Sequence, residues 1–328
     1  MTRAMVDSYG RVIDYLRVSI TDLCNLRCVY CLPPEGIRQI PHSEILRYEE
    51  ILAIIDVAQD LGIRKIRITG GEPLVRRGVV DFIGKLSQFN GIEDLGLTTN
   101  GVLLASMAAD LKAAGLKRIN ISLDSLRPDA FKRITGSDRL GEVLDGIAVA
   151  LHVGLNPVKV NVVLLDGINE EDVAAFARLT LDRPIDVRFI ERMPFGVNWL
   201  PNSPGSFSAA KAFEVIGNEI GALISLNREP LDGPATMYRL SGAKGRIGII
   251  DPVTGHFCGT CNRLRLTARG TLRPCLLGQR EIDIKSALRR GASRDELSQI
   301  VLAAVNAKPV GNAGRQMPVE GAMNCIGG

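Results

Sequence analysis

Short apolar runs and amphipathic stretches alternate along the first two thirds of this chain, and that alternation predicts its architecture. Over residues 48–61 the apolar Ile51, Leu52, Ile55 and Ala58 recur at helical spacing. Lys65-Ile66-Arg67-Ile68-Thr69 instead alternates polar and apolar with a period of two, and Gly70-Gly71-Glu72-Pro73 ends it, as expected of a strand. The cycle then repeats: helix 79–88, strand 95–98, helix 103–114, strand 118–122, helix 140–153, strand 159–164, helix 170–180 and strand 186–190. With residues 16–20 as the first strand, six strands are separated by helices, the pattern of parallel β/α units. Six units fall short of the eight that close a TIM barrel, so the α/β fold expected is an open, partial barrel.

The pattern breaks over residues 194–208, where Pro194, Pro201 and Pro204 sit among Gly, Asn and Ser and mark a linker or a lid loop. Beyond it come β-like runs over 236–240 and 246–250, then helices over 282–290 and 294–307. The expected division is a barrel over residues 1–224 and an α+β extension over 225–328 packed on it.

Length changes little in this picture, since 328 residues suit about two domains. A hydrophobic content of 46% supplies a sizeable core, and 23% charged residues is ordinary for a globular protein. The net charge of +4 is too mild for a surface that wraps nucleic acid, although clustered cations would still suit a phosphorylated substrate. Arg3, Asp7, Arg11, Asp14 and Arg17 interrupt the first twenty residues, so no signal-peptide core is expected there. No run of about 18 apolar residues occurs, so no membrane span is expected and the location anticipated is cytoplasmic. The seven cysteines fall as two tight triads plus Cys325, which in a large chain reads as metal ligation in a reducing compartment rather than as disulfides.

The first triad is Cys24, Cys28 and Cys31, spaced C-x3-C-x2-C with Tyr30 directly before the third cysteine. Three thiolates this close can grip three corners of a [4Fe–4S] cube and leave one iron without a protein ligand. Such an open position turns a bound metal into a catalyst, whereas structural zinc takes four protein ligands and the nearest histidine here is His42. The second triad, Cys258, Cys261 and Cys275, has C-x2-C-x13-C spacing, and His256 lies two residues upstream. A Cys3His zinc site and a second open cluster both fit it. Between its cysteines lies Asn262-Arg263-Leu264-Arg265-Leu266-Thr267, either solvated surface or an anion pocket. Gly70-Gly71-Glu72-Pro73, Thr98-Thr99-Asn100-Gly101, Ser122-Leu123-Asp124-Ser125 and Met193 all follow predicted strands, at the carboxyl ends where parallel β/α folds gather their sites.

Taken together, the SITDLCNLRCVYC and RITGGEPL stretches, the second cysteine spacing, CNRLRLT and the terminal Ile326-Gly327-Gly328 resemble the radical S-adenosylmethionine (SAM) superfamily, and within it the MoaA family of GTP 3′,8-cyclases. The resemblance runs from Asp7-Ser8-Tyr9-Gly10-Arg11 to the last residue; Arg192 departs from the aromatic or apolar residue expected at its position. In such enzymes SAM chelates the free iron of the first cluster, and one electron releases a 5′-deoxyadenosyl radical. The resemblance implies hydrogen abstraction from C3′ of GTP, closure of C3′ onto C8, and 3′,8-cyclo-7,8-dihydro-GTP as the first intermediate of molybdenum cofactor biosynthesis. It implies that Cys24, Cys28 and Cys31 hold the SAM-cleaving cluster, and that Tyr30, Gly71, Ser122 and Met193 line the SAM site. Cys258, Cys261 and Cys275 would hold a second [4Fe–4S] cluster facing guanine. Arg17, Lys65, Arg67, Thr98, Lys159, Arg188, Arg263, Leu264 and Arg265 would contact GTP. A triphosphate carries about four negative charges and calls for several convergent cations. Gly327 and Gly328, with the terminal carboxylate, would thread the barrel beside Arg263 and Arg265 and help to position the substrate. The resemblance also implies a reductant and, downstream, cyclic pyranopterin monophosphate synthase; a homodimer stays open. Two rivals remain at this level: a radical SAM peptide-modifying enzyme with auxiliary clusters, which would usually carry more C-terminal cysteines, and a zinc-stabilised binding protein.

Overall fold

The computed structural model describes residues 4–31, 40–193, 207–229, 233–255 and 257–311. Six β/α repeats open the chain. The strands are β1 (Tyr15–Ser19), β2 (Lys65–Thr69), β3 (Asp94–Thr99), β4 (Arg118–Ser122), β5 (Val158–Leu164) and β6 (Ile185–Glu191). The helices between them are α1 (Tyr48–Asp60), α2 (Val79–Leu86), α3 (Leu104–Ala113), α4 (Pro128–Thr135), α5 (Leu140–His152) and α6 (Asp172–Asp182). After them come α7 (Ala209–Glu219), β7 (Leu223–Ser225), β8 (Thr236–Leu240), β9 (Arg246–Ile250), β10 (Arg263–Leu266), β11 (Thr271–Arg273), β12 (Ile282–Asp283), α8 (Lys285–Arg289) and α9 (Arg294–Asn306).

All described strands form one sheet in the order β12-β11-β10-β1-β2-β3-β4-β5-β6-β9-β8-β7. The run from β10 to β9 is parallel throughout, and only the outer strands turn antiparallel. The six-stranded partial barrel is therefore extended at both edges by C-terminal strands: β10 docks on β1, and β9 docks on β6. Strand addition is the physical remedy for two edges that would otherwise leave rows of backbone N–H and C=O groups unpaired.

The barrel strands alternate polar and apolar positions over most of their length, with exceptions such as Val162-Val163-Leu164 in β5 and Thr98-Thr99 in β3. In β2, Ile66 and Ile68 are fully buried against the helix layer, while Lys65, Arg67 and Thr69 face the interior. The apolar halves of the strands pack with Ile51, Ile54 and Ile55 of α1, Phe82 of α2, Leu111 of α3, Ile147 of α5 and Phe176 of α6 as one core. Helix α4 was not visible in the periodicity, being only eight residues long, yet Pro128 at its start and left-handed Gly136 at its end punctuate it. Helix α7 and strands β7, β10, β11 and β12 are likewise additions. The helix expected over 282–290 is corrected: residues Ile282–Asp283 pair with β11 as an edge strand, and the helix begins only at Lys285. Most of the expected 194–208 linker lies outside the described residues. Glu50 of α1 accepts from Arg289 of α8 at 2.8 Å and ties the C-terminal region to the barrel.

Candidate active site

Residues paired across a parallel sheet share a face, so the registers draw the interior wall directly. Arg265, Arg17, Arg67 and Gly96 form one row across β10, β1, β2 and β3, and Gly96 pairs onward with Arg118 of β4. A second row links Thr98, Asn120, Lys159, Asp186 and Arg246, and a third links Ser122, Asn161 and Arg188. Apart from Gly96, Asp186 and Arg246, the residues of these rows line a cavity of about 330 Å³, together with both cysteine triads. A Cβ at position 96 would stand 2.4 Å from Nη1 of Arg67, so any larger residue there would displace that guanidinium from the wall.

So many buried cations in one cavity oppose one another. Burial, then the Arg188 charge, pulls Lys159 down to about 7 against the attraction of Asp186 at 3.4 Å. Burial and Arg67 lower Arg188 to about 10. Burial raises the Tyr15 hydroxyl, but Arg67, Arg17 and Lys65 overcome it and bring the group to about 7. Two carboxylates bind the lysine ends: Asp94 pairs with Lys65 at 3.4 Å and with Arg118, while Asp186 pairs with Lys159 and Arg246. Oγ1 of Thr98, Oδ1 of Asn161, and Nε and Nη2 of Arg188 are buried with no hydrogen-bond partner among the described residues. Repelling cations, with the unsatisfied Arg188 and Thr98 donors among them, make a wall built for a polyanion.

Cys24, Cys28 and Cys31 follow the carboxyl end of β1 and are free thiols. Backbone N–H of Leu26 donates to Cys24 Sγ at 3.4 Å, and Asn100 Nδ2 lies 3.8 Å from the same sulfur. Burial pushes the Cys31 thiol up to about 12, a cost that coordination of the thiolate to a metal would offset. The Gly70-Gly71 turn packs directly under this loop: Gly71 N–H donates to Thr21 O at 2.7 Å, and a Cβ on Gly71 would stand 2.3 Å from Leu23 O. Glu72 is fully buried and accepts from Leu74 N, Thr99 Oγ1 and Asn100 N, so it joins the glycine turn to the end of β3. Burial raises its carboxyl to about 7 despite those donors. Tyr30 donates to Asp124 at 2.6 Å, and Val163 N–H donates to the other oxygen of Asp124. Gly71, Ser122 and Met193 line the cavity beside Tyr30.

Cys258, Cys261 and Cys275 are likewise outside any disulfide and half-buried. Burial raises Cys261, yet Arg263 and Lys308 outweigh it and bring the thiol down to about 6. Cys261 lies just before β10, and Tyr15 N–H donates to Asn262 O at the amino end of β1. Because β10 runs parallel to β1, the two triads stand at opposite ends of the same strands, roughly 16 Å apart for a five-residue strand. Among the described residues no three His, Cys, Asp or Glu side chains gather around one point as for a lone ion. Cysteines outside any disulfide lining one cavity, with N–H donors on Cys24 Sγ, are a donor set that suits iron–sulfur clusters.

Two families match the chain: the radical SAM superfamily over residues 18–180, and Molybdenum Cofactor Synthesis C over residues 185–313. The GTP 3′,8-cyclase of Desulforamulus reducens is 53% identical over 306 residues, covering 93% of this chain and 94% of that protein. The chain belongs to the GTP 3′,8-cyclase family. The cyclase of Thermodesulfovibrio yellowstonii is 50% identical over 326 residues, covering 99% of this chain and all of that protein. Membership makes this a radical SAM enzyme with [4Fe–4S] clusters and SAM as cofactors, and it removes the zinc-binding rival. Among solved structures, SuiB of Streptococcus suis aligns with a TM-score of 0.65 at 14% identity, over 92% of this chain and 68% of that one. That likeness carries the fold alone.

The cyclase fold brings together nearly every residue expected from the sequence. Arg17, Lys65, Arg67, Thr98, Lys159, Arg188, Arg263 and Arg265 all line the cavity. Leu264 is the exception: its side chain is fully buried in the apolar core beside its register partner Leu16, so only its backbone can face substrate. His256, Cys325, Gly327 and Gly328 lie outside the described residues. Tyr15, Arg118, Asn120 and Asn161 also line the wall and were missed. Their signal was present, since each stands an even number of residues from a named site position on its own strand. Among the described residues no helix is long and apolar enough to cross a membrane.

Proposed function

We propose that the protein cyclises GTP to 3′,8-cyclo-7,8-dihydro-GTP, with Cys24, Cys28 and Cys31 holding the SAM-cleaving cluster and Cys258, Cys261 and Cys275 a second one. When bound, the first cluster and SAM would supply hydrogen-atom abstraction at C3′ of the ribose; the C3′ radical would add to C8 of guanine, and one electron from an external reductant with one proton would complete the 7,8-dihydro product. The observation that carries this reading is the placement of two thiol triads at opposite ends of one cationic cavity. Nucleotide lying along the strands puts its base at one triad and its ribose toward the other. The repelling cations Arg17, Lys65, Arg67, Lys159, Arg188, Arg263 and Arg265 clamp the triphosphate and hold the ribose in register. Thr98 and Asn161 supply buried polar atoms for the sugar or phosphates. Tyr30, Gly71, Ser122 and Met193 shape the SAM side, with Tyr30 fixed by Asp124.

In this reading residues 1–224 perform SAM cleavage and 225–328 supply the second cluster and the base site. Gly327 and Gly328, which lie outside the described residues, belong to this proposal: their deletion should stop cyclisation while leaving iron content intact. An electron donor, cyclic pyranopterin monophosphate synthase as the consumer of product, a cytoplasmic setting and a possible homodimer complete the proposal. The decisive experiment is anaerobic loading with iron and sulfide, then turnover of GTP deuterated at C3′. Deuterium should enter 5′-deoxyadenosine; unlabelled 5′-deoxyadenosine alongside full turnover would refute abstraction at that carbon. Cys24→Ala should abolish SAM cleavage, whereas Cys261→Ala should spare uncoupled cleavage and stop GTP conversion.

A further inference from the structure

Lys308 is 4% exposed and stands just beyond α9, far in sequence from either cysteine triad. Its Nζ donates to Arg263 O at 2.7 Å and to Pro274 O at 2.9 Å, and lies 3.9 Å from Cys261 Sγ. An ammonium has three protons and no acceptor, so these three partners use its whole donor capacity. The partners are not arbitrary. Arg263 O belongs to the segment that carries Cys261, and Pro274 O to the peptide that enters Cys275. The third cysteine is reached through Arg11, which donates to Cys258 O at 2.8 Å and to Pro309 O, next to Lys308, at 2.7 Å. Asp7 pairs with Arg11 at 2.6 Å and fixes that guanidinium. Both stretches of chain that bear the second triad are thus tied to the segment around one buried lysine.

Carbonyl satisfaction alone does not account for the lysine. Burying an ammonium is costly, and the arrangement directs its remaining proton at a cluster sulfur rather than at a carboxylate. We infer that Lys308 is a positioning residue for the second cluster: it sets the spacing of Cys261 and Cys275 and donates to Cys261 Sγ, which retains the iron and raises the reduction potential. The inference rests on the reading that Cys258, Cys261 and Cys275 hold that cluster. A donor and positive charge at a ligating sulfur favour the reduced, more negative cluster, and partners behind the ligands govern metal retention.

The test uses the full chain loaded anaerobically and follows iron release to a chelator, the potential of each cluster by redox-titrated electron paramagnetic resonance, and SAM cleavage as a report on the first triad. Lys308→Met removes the charge and every donor while keeping the stem. It should speed release of the second cluster's iron about tenfold or more, shift that cluster's potential negative, and leave SAM cleavage and the first cluster's release unchanged. Lys308→Arg keeps a cation and N–H donors and should hold release within about threefold of the parent. Parent-like release and potential in Lys308→Met would overturn the inference, as would loss of both clusters together in the Met and Arg variants alike, which would mark Lys308 as general packing. Cys261→Ala separates the two levels: if it keeps its full iron, the ligand assignment has failed rather than the role of the lysine.

Discussion

Lys159 sets binding against stability, and Lys159→Met isolates the trade. The side chain is 3% exposed, and burial with the Arg188 charge holds its pKa at about 7. Relative to an ordinary lysine, that displacement costs the folded state roughly 4 kcal/mol at pH 7. Methionine keeps the stem and removes the ammonium. Asp186 does not become orphaned, since Arg246 still donates to it at 2.9 and 2.7 Å. The variant should therefore be more stable than the parent by roughly 2–4 kcal/mol at pH 7 in anaerobic urea titrations. Its affinity for GTP should fall roughly 10- to 150-fold, the worth of one charge-assisted phosphate contact of about 1.5–3 kcal/mol. The pH dependence supplies an independent check. Because the folded pKa lies below the unfolded one, the unfolded chain binds more protons between about pH 7 and 10.5, and parent stability rises across that window. From pH 7 to 9 the parent should gain about 2 kcal/mol from this lysine, a gain absent from the variant. Tyr15 titrates in the same range but is present in both proteins, so the difference between the two curves reports Lys159. A variant no more stable than the parent, with the same pH slope, would refute the reasoning.

Two further perturbations test the frame around the site. Glu50 is raised by burial but brought down to about 2 by its bonds to Arg289 and Arg47, so its contribution is complete above its ordinary value and lost as pH falls toward 2. Arg289→Ala should cost roughly 1–2 kcal/mol at neutral pH, allowing for solvent at the arginine, and the deficit should shrink in acid; a deficit independent of pH would show that the pair is not its source. Gly71→Ala would put a Cβ 2.3 Å from Leu23 O and 2.7 Å from Asp22 O, so the cysteine loop must shift. SAM affinity should fall at least severalfold in calorimetry with GTP affinity little changed, and unaltered SAM binding would show that the two turns are not rigidly coupled.

Local periodicity determined much of this protein by itself. The alternation of Lys65-Ile66-Arg67-Ile68-Thr69 settles both the strand and which residues face the cavity, because side chains on a strand repeat every two residues whatever surrounds them. The cysteine spacings are legible directly in the sequence, and the identity of most cavity cations follows from the family resemblance. The tertiary structure decided what lies far apart in sequence. Arg263-Leu264-Arg265-Leu266 alternates as clearly as β2, yet only its pairing with β1 places Arg265 beside Arg17 and sends Leu264 into the core. That pairing also sets the second triad at the opposite end of the barrel from the first. Arg11 meets Cys258, and Lys308 meets Pro274, across long stretches of intervening chain. Such contacts carry no periodic signature: they arise because sheet edges must complete their hydrogen bonds and buried cations must find acceptors, and those requirements are met by whichever segment the fold brings near.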